Sequence, residues 1–171
     1  MSELGRTIGR QPSEIALEYM RNSPPTDLLS LAADLGIIVQ YESMSGHAGK
    51  IERRLDGKRP QYVITINSDD PVNRQRFTLA HEIAHFIKHQ KQLDAGGIVD
   101  NVMYRSLLPE QMEWEANRYA AQLLMPLSAM KKLWFEGLRD DVSFAERLGV
   151  SEHAASIRLG ELRGSLSLMG K

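Results

Sequence analysis

The stretch from Phe77 to Ile87 constrains this chain more than any other. Its only polar side chains are Thr78, His81, Glu82 and His85, and no Lys or Arg follows until Lys88. A helix of this composition is apolar almost all round and belongs in the interior. Three ionisable groups nevertheless lie on adjacent turns, and burying them is costly unless they are partnered. His81-Glu82-Ile83-Ala84-His85 is an HExxH motif. Residues i and i+4 of a helix stand one above the other, so His81 and His85 can reach one metal ion. Glu82 projects beside them, where it can take a proton from water at the ion. The bland alternative is a core helix whose histidines are satisfied by hydrogen bonds. A metal ion partners all three groups at once and is the stronger reading.

A catalytic metal site of this type needs a third protein ligand, with one position left for water. His89 is nearest in sequence. On an unbroken helix it diverges from His81 by about 80° and stands about 12 Å away along the axis, too far to share the ion. The extended HExxHxxGxxH arrangement is absent, since neither its glycine nor its later histidine follows His85. His89 is expected at the helix end, facing a cleft or solvent, as a substrate or transition-state contact. The better candidates lie in Glu113-Trp114-Glu115-Ala116-Asn117. Glu113 shares a helix face with Ala116, Asn117, Ala120 and Leu124, a small and apolar stripe that must pack inward. Glu115 aligns with Arg118, Tyr119 and Gln122, a more polar face. Glu113 is therefore the preferred third ligand and Glu115 the alternative. Asn117, one turn on, can hydrogen-bond a ligating side chain from behind.

Around this centre the pattern is mixed. A helix is expected from Pro12 to about Asn22, broken at Ser23-Pro24-Pro25, and a second from Asp27 to Leu35 with Thr26 as its N-cap. Ile37–Glu42, Lys50–Arg54 and Tyr62–Ile66 read as strands, the last two joined through the turn signal Asp56-Gly57. Asp70-Pro71 is a helix start, N-cap then N1, for the helix carrying the motif. Residues 90–109 read as a long loop, and helix resumes from Glu110 to about Met125. At 171 residues the chain is expected to be one domain, 1–171, with a helical extension over about 1–25.

The residues quoted so far are recognisable together. Arg74 to His85, followed by Glu113 to Asn117 and Ala120 to Pro126, resembles the ImmA/IrrE family of metallo-endopeptidases over roughly Thr26 to Leu162. The resemblance implies an α+β fold, a small antiparallel or mixed three-stranded sheet packed against zinc-peptidase helices. It implies a gluzincin-type site with Zn2+ as cofactor, His81, His85 and Glu113 as ligands and Glu82 as general base. The implied substrate is a partner protein, a helix-turn-helix transcriptional repressor cleaved to relieve repression in stress responses or mobile-element induction. An oxyanion needs a donor besides the metal. His89, Tyr104 and Arg105 are the candidates. A substrate peptide could add as a strand near Gly49–Arg53.

The C-terminal part supports a rival reading. Residues 139–163 form a helix, Gly turn, Ser cap and helix, the outline of a helix-turn-helix. Yet this segment carries four arginines against five acids. Only Arg158, Arg163 and His153 could meet phosphates, so a helical cap or partner-docking element is favoured over DNA binding through 142–163. A non-catalytic regulator retaining the fold is the main alternative to an enzyme, and a metal-stabilised interaction module the other. The net charge of −1 gives no global nucleic-acid footprint. No cysteine is present, consistent with a reducing compartment. No apolar leader or membrane span is apparent, so a cytoplasmic protein without membrane contact is expected.

Overall fold

The computed structural model describes residues 9–22, 24–56, 59–94 and 110–169. Its elements run α1 (Pro12–Arg21), α2 (Leu28–Asp34), β1 (Ile37–Glu42), β2 (Gly49–Asp56), β3 (Arg59–Asn67) and α3 (Val72–Asp94). They continue with α4 (Glu110–Leu124), α5 (Leu127–Phe135), α6 (Asp141–Leu148) and α7 (Glu152–Met169). The architecture is α+β.

The three strands form one mixed sheet in the order β1-β3-β2. β2 and β3 pair antiparallel from Gly49↔Ile66 to Asp56↔Arg59, the hairpin expected from Asp56-Gly57. β1 pairs with β3 in parallel, Ile37↔Tyr62 through Glu42↔Asn67. The central strand is covered on both faces, since Val63, Ile64, Thr65 and Ile66 are all buried. β2 lies at an edge. Helix α3 crosses it closely at Gly49, where an added Cβ would stand 2.5 Å from the Thr78 Cγ2.

Two helix starts differ from the sequence reading by one residue. Asp27, not Thr26, caps α2, its carboxylate accepting from the Ser30 N–H at 3.0 Å. Thr26 instead turns its hydroxyl inward and donates to the Leu123 carbonyl at 2.6 Å. A buried hydroxyl must find an acceptor somewhere, and here a tertiary one outcompetes the local cap. Helix α3 starts at Val72, with the Pro71 carbonyl accepting from Arg74 and Gln75. Asp70, the expected cap, pairs with Arg74 at 3.3 Å.

The C-terminal pair has the expected outline. Asp140 caps α6, Gly149 closes it at φ 66°, and the Ser151 hydroxyl accepts from the Ala154 N–H to open α7. Phe144, Leu148, Ala155, Leu159 and Leu162 belong to the same buried cluster as Ile83 on α3 and Leu123 on α4. Among the described residues no helix is long and apolar enough to cross a membrane.

Candidate metal centre

Helix α3 is interior from Thr78 to Phe86, as its composition requires, and it carries His81, Glu82 and His85 inside with it. Opposite runs α4, whose Ala116 and Ala120 are fully buried and let the two helices approach. Glu113, one turn before that alanine stripe, faces the histidines. The distances close a triangle. His81 Nε2 and His85 Nε2 stand 3.0 Å apart, Glu113 Oε1 lies 3.2 Å from His85 Nε2, and Glu113 Oε2 lies 3.5 Å from His81 Nε2. A tetrahedral site with bonds of about 2.0–2.1 Å has donor–donor edges of about 3.3 Å. These three residues could hold a metal ion among them.

Each histidine is also held from behind. His81 Nδ1 lies 3.0 Å from Asn117 Oδ1 and His85 Nδ1 lies 3.1 Å from His89 Nδ1. An amide oxygen only accepts, so the His81 proton sits on Nδ1 and its Nε2 presents a lone pair to the centre. An anion and lone-pair nitrogens at 3.0–3.5 Å repel one another unless a cation or a proton lies between them. The donor set, two imidazoles and one carboxylate, fits a divalent ion, and Glu113 Oε1 is buried and without a hydrogen-bond partner.

A groove opens beside the triangle, lined by Ala48, Arg74, Phe77, Thr78, His81, Glu113 and Asn117. It runs between the start of the edge strand β2 and the facing helices α3 and α4. Glu82 itself is 2% exposed.

His89 is placed differently from its expectation. It neither faces solvent nor lines the groove, being 3% exposed. Its backbone leaves helical values there, φ −125° and ψ 26°. Its Nε2 lies 3.2 Å from Glu115 Oε2. Burial pushes the His89 imidazole toward its neutral form. Glu115, the alternative ligand, stands away from the triangle and accepts from Gln111 Nε2 at 2.9 Å. Tyr119, read onto the polar face of α4 with Glu115, is buried, with the Lys88 ammonium 4.7 Å above its ring. Tyr104 and Arg105 lie outside the described residues. The contact between His85 and His89 was available to the same i, i+4 rule that joined His81 to His85.

A family model of peptidases, the IrrE N-terminal-like domain, matches residues 32–160. The chain belongs to this family. Membership covers the sheet, both helices of the triangle and most of the C-terminal pair, and it supports a peptidase. A solved structure described as a Mycobacterium tuberculosis transcriptional regulator is similar over 92% of this chain and 47% of that one, at 17% identity and a TM-score of 0.55. The likeness is one of fold, and this chain spans about half the length of that regulator. A comparison with curated proteins by sequence returned no match.

Proposed function

We propose that this protein is a zinc-dependent endopeptidase that cuts a partner regulatory protein, a helix-turn-helix repressor, and so relieves repression. The observation that carries the reading is the convergence of His81, His85 and Glu113 beside a buried Glu82, in a chain of a peptidase family. His81, His85 and Glu113 would hold the ion. When bound, a divalent ion such as zinc supplies Lewis acidity toward water and the scissile carbonyl. Glu82 accepts a proton from the attacking water. The water oxygen bonds to the carbonyl carbon, the C–N bond breaks, and Glu82 returns the proton to the leaving amine. Asn117 fixes the His81 tautomer throughout. The substrate backbone adds along β2 as an extra strand and enters the groove at Ala48, with Phe77 and Arg74 meeting its side chains.

The structural neighbour, described as a transcriptional regulator, agrees with a regulatory setting. DNA binding through residues 142–163 finds less support. Arg158 donates to the Met125 carbonyl and pairs with Glu161, and Arg163 donates to the Arg139 carbonyl with its guanidinium 5.9 Å from the Trp134 ring centroid. Two of the three candidate phosphate contacts are thus already engaged.

The deciding experiment is co-expression with candidate helix-turn-helix repressors, comparing wild type with Glu82→Gln by intact mass. A defined repressor fragment made only by wild type is the expected result. Relief of repression that is equal in both proteins and leaves the repressor whole would replace the enzyme by a binding antagonist.

A further inference from the structure

The side chains behind His85 form a chain of three. His85 Nδ1 lies 3.1 Å from His89 Nδ1, and His89 Nε2 lies 3.2 Å from Glu115 Oε2. Between two facing ring nitrogens one proton is shared, and geometry alone does not say which ring owns it. The far end decides. Glu115 is an acceptor: Gln111 Nε2 donates to its other oxygen at 2.9 Å, and the Lys88 ammonium lies nearby. A carboxylate facing a bare imidazole nitrogen at that distance would be two lone pairs in opposition. His89 therefore carries its proton on Nε2 and donates to Glu115. With that ring proton on Nε2, its Nδ1 is left as the acceptor, and the proton between the two rings belongs to His85 Nδ1. The His85 Nε2 is left with a lone pair aimed at the triangle, the only form in which it can ligate an ion.

We infer that His89 and Glu115 are positioning residues for the metal centre, with Glu115 setting the tautomer of His85 through His89. This rests on the metallopeptidase reading above. α4 then serves the centre three times: Glu113 within it, Asn117 behind His81, and Glu115 behind His85 through an intervening ring. The arrangement extends the common pattern in which a ligating histidine donates its second N–H to a carboxylate. Here the carboxylate is partly exposed at the protein surface, while the ring that transmits its charge is buried.

The test uses the full chain, with Zn2+ as probe. Long-range 1H–15N correlation on the metal-free protein reads which nitrogen of His85 bears the proton, and competition with a chromophoric chelator reads zinc affinity. In the wild type, His85 is expected as the Nδ1–H form. Glu115→Ala should mix the two tautomers and weaken zinc binding about 10–100-fold, and His89→Leu should do the same. His89→Asn places an amide oxygen near the lost Nδ1 and should restore most of the affinity. In that background Glu115→Ala should have no further effect, an outcome that a packing role for Glu115 does not produce. Glu115 is a surface acid, so its variant tests the idea even if His89→Leu fails to fold. An Nε2–H His85 in the metal-free wild type would overturn the inference, as would folded Glu115→Ala binding zinc within threefold of wild type. If wild type binds zinc and cleaves while the variants match it, only the relay falls. If wild type binds no zinc at all, the metallopeptidase reading falls with it.

Discussion

Gly49→Ala is a substitution whose effect follows from two distances. The new Cβ would sit 2.5 Å from the Thr78 methyl and 2.8 Å from the Thr65 carbonyl oxygen. Carbon atoms rest at about 3.5–4.0 Å, so the first contact overlaps by roughly 1 Å. The Thr65 carbonyl is backbone of the central strand and cannot swing aside, so the strand or α3 must move. Overpacking of this kind costs about 1–3 kcal/mol, less about 0.4–1 kcal/mol for the unfolded-chain entropy that alanine removes. For a chain of this size each kcal/mol lowers the melting temperature by about 2–4 °C. A drop of a few degrees is expected by calorimetry. Thr78→Ser removes the methyl that makes the closer contact, so the double variant should be less destabilised than the two single changes added together. It should not be fully restored, because the contact with the Thr65 oxygen remains. Gly49→Ala melting at or above the wild-type temperature would refute the reasoning, and strict additivity would show that Thr78 is not the obstacle.

Two further predictions concern a ligand's support and a helix cap. Asn117→Leu should leave the buried His81 Nδ1–H without an acceptor, costing about 1–3 kcal/mol in urea unfolding and weakening zinc binding about 10–100-fold. Asn117→Asp keeps the acceptor and should stay close to wild type in calorimetric titration with zinc. Asp27→Ala should cost about 1 kcal/mol through loss of the α2 cap. The Ser30 backbone N–H lowers the Asp27 carboxyl below its ordinary 3.8, so the stabilisation is complete above that value and fades as pH falls through the depressed one. The stability gap between wild type and Asp27→Ala should therefore be constant near neutrality and narrow below pH 3.8. A gap that widens on acidification would contradict the sign.

What sequence can and cannot reveal divides along the reach of the interactions. The buried course of α3 and the β2–β3 hairpin at Asp56 rest on spacing within one element, and the structure agrees with both; the same kind of spacing bears on Glu113, which lies beside His81 and His85 while Glu115 does not. The parallel pairing of β1 with β3 does not, because nothing in Ile37–Glu42 encodes its partner's direction. Thr26 misleads for the same reason. Its hydroxyl has a local use as a cap, and the competing acceptor at Leu123 is distant in sequence. Spacing discounts His89 because an unbroken helix takes it away from His81. That geometry is sound, but the relevant neighbour is His85, and the helix is not regular at His89. Periodicity alone places Tyr119 on a polar face, whereas Lys88 shields its ring from across the helix pair.

The helix that carries Glu113 ends on bonds from far away. The Leu123 carbonyl accepts from Thr26, which itself accepts through its carbonyl from Arg76, and the Met125 carbonyl accepts from Arg158. Seen from the ribosome, these partners arrive in a fixed order. Thr26 and Arg76 emerge before α4 does. Arg158 emerges only after α5 and α6 have followed. A nascent chain thus holds every member of the His81, His85 and Glu113 triangle before it holds the arginine that finishes the supporting helix. The residues of the centre are synthesised before one of the contacts that closes their supporting helix, which α7 brings from the far end of the chain.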